Sequence, residues 1–245
     1  MHRFYADEAR LSADAAYLTA EDARHALRVL RMTEGQQAEI FQQGRRYLGE
    51  ISAIAGEDVA LRLLEELPTT EPQLRVTLYQ GLPKADKMEL IIQKAVELGA
   101  ERIVPVAMSR CVVRLDERDG RKKQDRWQKI AREACKQSCR CQVPAVDAPL
   151  SFRELLHRLP DHDAALVPWE DARGYSLNQF HQEHPDVTRL AVVIGPEGGM
   201  SAEEVAAMRE AGCLPVTLGP RILRTETAGL AAISALMCLY NEMIS

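Results

Sequence analysis

No apolar run in this 245-residue chain approaches the ~20 residues that crossing a bilayer requires. The N-terminus also lacks the basic-then-apolar pattern of a secretory signal. The expected location is therefore the cytoplasm, with no membrane partner. Metal-site spacing is missing too. Six cysteines are present (Cys111, Cys135, Cys139, Cys141, Cys213, Cys238), but there is no C-x-x-C and no histidine beside the Cys135 to Cys141 group. Free thiols in a reducing compartment are the simpler expectation. The chain has no Gly-Lys-Ser/Thr cradle and no G-x-G-x-x-G, which argues against polyphosphate and dinucleotide ligands. No internal repeat or low-complexity tract interrupts it.

What is present is ordinary in amount and uneven in distribution. Apolar residues make up 46% and charged residues 27%, the proportions of a globular protein, and the net charge of −5 opposes indiscriminate nucleic-acid binding. Residues 84–140 nevertheless hold 15 Lys/Arg against 9 Asp/Glu, whereas residues 1–71 hold 8 against 13. A basic middle in an acidic chain suits contact with RNA at one patch, although a solvated helix face has the same composition.

The most informative stretch runs from Leu190 to Tyr240. Leu190 to Ile194 is an apolar run, the pattern of a strand buried on both faces, and it leads into Gly195-Pro-Glu-Gly-Gly199. Ser201 and Glu204 form a capping-box signature for a helix from Ala202 to Ala211, and Leu214 to Leu218 reads as the next strand. A second irregular loop, Gly219 to Arg224, precedes a long apolar helix from Thr225 to about Met243. Two successive parallel strands thus end in Gly-containing loops, and open α/β sheets bind ligands at those carboxyl ends. The loops offer mainly backbone amides and apolar side chains, which suits a nucleoside-like ligand.

Ile194-Gly-Pro-Glu-Gly-Gly199 followed by Leu218-Gly-Pro-Arg-Ile-Leu-Arg-Thr-Glu-Thr-Ala228 resembles the signature pair of SPOUT-class RNA methyltransferases. Within that class the chain closely resembles the RsmE family, which methylates N3 of a uridine in 16S ribosomal RNA. His25 to Arg31, Lys87 to Gly99, and Arg126 to Ala134 running on to Gln137 and Arg140 also match, so the likeness spans nearly the whole chain in order. It implies a parallel α/β sheet of SPOUT type with a C-terminal trefoil knot. It also implies S-adenosylmethionine as cofactor, no metal, a homodimer with its active site at the subunit interface, and a substrate presented within the small ribosomal subunit. Two other readings remain: a SPOUT enzyme with another target such as the ribose 2′-oxygen, and a non-catalytic RNA-binding assembly factor that has kept the fold.

The chain divides at the Pro68-Thr-Thr-Glu-Pro72 linker into residues 1–71 and 72–245. In the first part, short strands at Gln37 to Gln42, Tyr47 to Ile54 and Val59 to Leu64 suggest a small β-barrel, with a helix from Glu21 to Leu30. The family counterpart is a PUA-like RNA-binding domain, and Arg3, His25, Arg28, Arg31, Arg45 and Arg46 are its candidate RNA contacts. The second part begins with a strand–helix–strand unit: alternating Leu74, Val76 and Leu78, a helix face of Met88, Ile91, Ile92, Ala95 and Val96, then Arg102 to Val106. Gly120 to Gln137 is an amphipathic helix with Trp127 on its apolar stripe, and Arg118 to Lys123 reads as an exposed loop. Ala164 to Val167 is a further strand. The Trp127 helix and the small-residue C-terminal helix are candidate dimer surfaces.

This site must align a methyl group that the sulfonium already activates, and help uracil N3 lose its proton. The charge that develops spreads onto two carbonyl oxygens, where a guanidinium stabilises it. Arg224 is the leading catalytic candidate and Arg140, acting in the partner's site, the next. Glu226 is a candidate proton acceptor or holder of the cofactor amine; a helix first-turn charge is the alternative. Cofactor contacts are expected from Gly195, Gly198, Leu218, Gly219, Ile222 and Leu223, with Thr227 as a side-chain donor, Pro168 closing the third side and Glu197 bracing its own loop.

Overall fold

The computed structural model describes residues 1–10 and 15–243. They form two compact units: Met1–Glu71 together with Cys135–Val143, and Pro72–Ala134 together with Pro144–Ser245. Segment 135–143 lies in the first unit because Glu71 holds it there. One oxygen of Glu71 accepts the amides of Cys141 and Gln142 at 2.7 and 3.1 Å, and the other faces the Arg140 guanidinium at 2.6 Å.

The first unit contains β1 (Arg3–Tyr5), β2 (Ala15–Tyr17), α1 (Ala20–Arg24), β3 (Gln37–Gln42), β4 (Arg45–Ala55) and β5 (Asp58–Leu67). Its sheet runs β1-β3-β4-β5-β2, with β1 parallel to β3 and the other pairs antiparallel. An Ala6–Leu18 bridge joins the two edges and closes the barrel around Phe4, Ile40, Ile51, Val59 and Leu61. Closure leaves no long edge for unwanted pairing. Gln43 and Gly44, at φ 51° and 73°, make the two-residue turn between β3 and β4. The helix expected from Glu21 to Leu30 is split: α1 is capped by Thr19, and His25–Val29 continue it as a π-helical turn.

The second unit is an α/β layer with β6 (Arg75–Gly81), α2 (Lys87–Glu97), β7 (Arg102–Ala107), α3 (Glu117–Gln137), β8 (Ala145–Val146), β9 (Leu150–Ser151), α4 (Phe152–Arg158), β10 (Ala164–Pro168), α5 (Leu177–Glu183), β11 (Arg189–Ile194), α6 (Ala202–Glu210), β12 (Cys213–Val216) and α7 (Thr225–Leu239). Helix α3 ends in the segment that belongs to the first unit. Every strand pair is parallel, in the order β12-β10-β11-β6-β7-β8, with β9 also on β7. This is the parallel α/β sheet that the resemblance implies. The central strands β6 and β11 are buried at every position but the first; β11 accordingly reads as an unbroken apolar run after Arg189, whereas β6 carries the buried polar residues Thr77 and Gln80.

One expectation changes. Arg118 to Lys123 is not a loop but the first turns of α3. Asp116 starts the helix by accepting the Asp119 amide at 2.7 Å, and Glu117–Arg121 and Asp119–Lys122 pairs support its exposed face. Trp127 is only 3% exposed, so it packs within its own chain. Helix α7 buries Gly229, Ala232, Ile233, Leu236 and Met237, while Leu230, Ala231, Ala235 and Cys238 stay partly or fully exposed. All six cysteines are free; Cys135 is buried, receives the Tyr5 hydroxyl at 2.8 Å, and has its thiol pushed up to about 11 chiefly by burial.

Gly81, at the end of β6, faces the loop after β11 with no room for a side chain. A Cβ there would lie 2.6 Å from the Pro196 nitrogen and 2.9 Å from the Gly195 carbonyl carbon, both backbone atoms. Gly81→Ala should therefore cost about 1–3 kcal/mol, the usual range for overpacking. Urea denaturation checks it, and a loss below ~0.5 kcal/mol would mean that the loop yields easily.

Candidate active site

The carboxyl ends of β10, β11 and β12 open on a cavity of about 990 Å³. Three loops wall it: Pro168 to Gly174 after β10, Gly195 to Met200 after β11, and Thr217 to Arg224 after β12. Lys87, from the first turn of α2, completes the lining. This is where ligands bind in open parallel sheets.

A chain of buried hydrogen bonds fixes two of these loops to each other. Gln80, fully buried in β6, donates to the Thr225 hydroxyl at 2.8 Å, which donates to the Gly195 carbonyl at 2.6 Å. A polar residue in a buried strand needs such partners. Gly195 and Gly198 are glycines for lack of space: a Cβ would lie 2.9 Å from the Met200 side chain at the first and 3.1 Å from Arg110 at the second. Arg110 in turn donates to the Gly198 carbonyl at 3.1 Å. Gly219 has φ +100°, a conformation that favours glycine. The Ser201–Glu204 capping box forms as expected, and Glu204 also accepts the Ser109 amide at 2.8 Å.

Lys87 is the charged centre of the site. Its ammonium lies 3.1 Å from Glu197 and 3.1 Å from Glu226, and Glu197 also accepts the Lys84 amide at 3.0 Å. Glu226 Oε2 is buried without an aligned hydrogen-bond partner among the described residues, so the Lys87 charge is what faces it. Partial burial works against the charged form of Glu197, but backbone amides and Lys87 hold it below the usual carboxylate range. The backbone amide at Glu226 and then Lys87 do the same for that carboxyl. Glu226 and Glu197 together hold Lys87 above its ordinary value.

Of the residues singled out from sequence, Pro168, Gly195, Glu197, Gly198, Leu218, Gly219, Ile222, Leu223 and Arg224 all line the cavity. Thr227 does not; it is exposed in the first turn of α7, where its amide bonds to the Arg224 carbonyl at 2.8 Å. Arg140 lies in the first unit, 5% exposed and paired with Glu71. In that unit Arg3 and Arg46 share Glu39 at 3.3 and 3.0 Å, Arg45 pairs with Glu66 at 3.2 Å, and Arg28 pairs with Glu57. His25 and Arg31 are exposed, and Arg31 has φ 53°. Sequence reasoning missed the roles of Lys87, Gln80 and Thr225. Gln80 was legible in principle, as a polar break in an apolar strand.

Known proteins agree with this architecture. The profile of an RNA methyltransferase PUA domain matches residues 18–64, and that of an RNA methyltransferase domain matches residues 70–237. Ribosomal RNA small subunit methyltransferase E from Bacillus subtilis (strain 168) is 39% identical over 230 residues, which covers 89% of this chain and 88% of the relative. The crystal structure of the corresponding protein from Neisseria gonorrhoeae, bound to S-adenosyl methionine, aligns with TM-score 0.84, 36% identity and 98% coverage of each chain. A methyltransferase from Legionella pneumophila in complex with the same cofactor aligns with TM-score 0.80, 31% identity and 96% coverage of each. Fold and cleft together define an RNA methyltransferase of the SPOUT type. The chain belongs to the ribosomal RNA small subunit methyltransferase E family.

The residues present fit S-adenosylmethionine. The volume is at the upper end of ~300–1,000 Å³ ligand pockets. Ile194, Met200, Leu218 and Leu223 supply apolar wall, and Gly219, with open space where a Cβ would stand, presents its backbone. No group of three or more His, Cys, Asp or Glu is placed to hold a metal among the described residues.

Lys87→Met should lower the denaturation midpoint at pH 7, because Glu197 and Glu226 then lose their shared counter-charge. Both carboxyls have depressed values, so their contribution is present above the unfolded carboxylate pKa and lost as pH falls through the folded ones. The gap between wild type and variant should therefore narrow as pH falls below the unfolded carboxylate value of ~4.3 and close only below the folded values. A gap of constant size would show that Lys87 acts by packing rather than by charge.

Proposed function

We propose that the protein transfers a methyl group from S-adenosylmethionine to N3 of a uridine in 16S ribosomal RNA of the small subunit, as a homodimer in the cytoplasm. One observation carries this reading: Arg224 lines the cleft that both signature loops build, exposed and without an ion pair within 4 Å among the described residues. A guanidinium not already neutralised is available for charge that develops on a bound base.

The cofactor, when bound, supplies a methyl group made electrophilic by its sulfonium. Everything else falls to the chain. The amides and apolar side chains of the three loops would hold the cofactor, with Gly195, Gly198, Leu218, Gly219, Ile222 and Leu223 the candidate contacts and Pro168 beside them. Arg224 stabilises the uracil as N3 loses its proton, its charge matched to the two carbonyl oxygens. Glu226 is turned to Lys87 and its basicity is lowered by the backbone amide and that charge, which suits a positioning role better than that of proton acceptor. The proton then leaves to solvent through the open mouth. Uridine N3 sits on the Watson–Crick edge, so the nucleotide must be unpaired when it enters. The first unit, with His25, Arg28 and Arg31 exposed on and beside a π-helical turn, serves RNA binding. π-Helical turns are frequent at functional sites. The unburied apolar face of α7, at Leu230, Ala231, Ala235 and Cys238, supports a subunit interface.

Arg224→Ala should slow methyl transfer on the order of a hundredfold, the usual effect of removing one transition-state donor, with cofactor affinity nearly unchanged. Single-turnover assays on small subunits from cells lacking the protein, with calorimetry for the cofactor, test both. Outright loss of cofactor binding would make Arg224 structural instead. Mass mapping of the product should place the methyl on the uracil ring; a ribose 2′-O-methyl would overturn the N3 assignment. Sedimentation should give a dimer, and a fully active monomer would refute the α7 interface.

A further inference from the structure

Two other arginines stand at the mouth of this cleft. Arg173 lies in the turn after β10, just before Gly174 at φ +81°, and Arg221 lies in the loop after β12. Both line the cavity and both are exposed. Neither has a salt bridge or side-chain hydrogen bond with any described residue. In the first unit Arg3, Arg10, Arg28, Arg45, Arg46 and Arg62 face carboxylates, whereas Arg24 and Arg31 have none within 4 Å among the described residues. The chain holds 36 Asp and Glu, so counter-charges are plentiful, yet none is placed against these two. Beside Arg221, Ile222 is 83% exposed, the most exposed of the large apolar side chains given for the described residues. The lip of the cleft thus combines free guanidinium groups with a bare branched side chain.

Resting on the function proposed above, we infer that Arg173 and Arg221 form a phosphate-binding lip. They take the phosphodiester groups that flank the target nucleotide, while Ile222 meets the adjoining sugar or base. A guanidinium with no protein partner gives up only water to bind a phosphate, and its planar donors match the oxygens two at a time. Phosphate contacts fix the register of a nucleic acid without reading its sequence. Here they would hold the strand across the mouth of the cavity. Two positions, on the loops after β10 and β12, can hold the strand on either side of a nucleotide that enters between them. The carboxylate of the cofactor is the competing ligand for a guanidinium. It is a single group, and Arg173 and Arg221 lie at the exposed rim rather than among the apolar walls.

The test uses the full-length R173Q/R221Q protein, small subunits from cells lacking the protein as the RNA probe, and S-adenosylmethionine. Expected results are a KM for subunits raised by roughly tenfold, and a plot of log affinity against log salt shallower by on the order of 1.4, for two contacts on single-stranded RNA. Cofactor affinity, turnover at saturating subunits and sedimentation should stay within about twofold of wild type. R173K/R221K, which keeps the charge, should restore the salt slope. Unchanged RNA affinity and slope would overturn the lip. A fall in cofactor affinity would assign the arginines to the cofactor, and a dissociated dimer to the subunit interface; either also overturns it. Wild-type protein that binds subunits but transfers no methyl group would instead refute the proposed function, and the salt slope would still decide whether the lip exists.

Discussion

The contact between Gly81 and the Gly195–Pro196 backbone sets the geometry of the cleft. β6 and β11 are neighbours in the sheet, and their ends meet at a distance that only a residue without a Cβ allows. From that contact the Gln80–Thr225–Gly195 chain of hydrogen bonds ties in the start of α7. Hydrogen bonds in series inside a low-dielectric core strengthen one another. Gly229, one turn further along α7, lets the helix come down on Leu78 and Ile194, where a Cβ would sit 3.3 and 3.4 Å from their side chains. Strand, loop and helix are thereby held as one piece, and the cofactor loops need little ordering when a ligand arrives.

Charge at the cleft is unevenly paired. Glu197 and Glu226 share Lys87, and the Arg224 charge also acts on Glu226, while Arg173, Arg221 and Arg224 have no carboxylate within 4 Å among the described residues. Cations left without close counter-charges at the opening favour a polyanion in a protein whose net charge of −5 would otherwise repel one. In the barrel unit the reverse holds: Glu39, half-shared between Arg3 and Arg46, damps two arginines at once. Its carboxyl stays below the usual range despite burial because of those two neighbours.

Much of this was legible in the sequence, for local reasons. Strands buried on both faces have to be apolar throughout, loops that approach another backbone have to carry glycine, and capping boxes are four-residue patterns. Leu190 to Thr225 contains all three. Lys87 was illegible because its partners lie 110 and 139 positions away, and a lysine opening a helix looks like solvated surface. The pairing of Arg140 was illegible for the same reason, since Glu71 lies 69 positions away. A cation following a basic helix suggests a patch, whereas Glu71 has drawn it into a buried pair. Trp127 was legible as part of an apolar stripe, but a helical wheel says nothing of which neighbour will cover it. Short elements such as β1, β8 and β9 have too few residues for periodicity to register.

Segment 135–143 has a consequence for biogenesis. The chain leaves the barrel unit after Glu71, builds the first third of the parallel sheet, and returns to the barrel before completing that sheet. Domains commonly fold from the N-terminus as they leave the ribosome. The five barrel strands and their core lie within residues 3–67, but Glu71 must wait for Arg140 and for the amides of Cys141 and Gln142. Its last contacts form only when roughly twice the length of the barrel has been synthesised. A fragment cut at the linker would carry Glu71 without the Arg140 counter-charge.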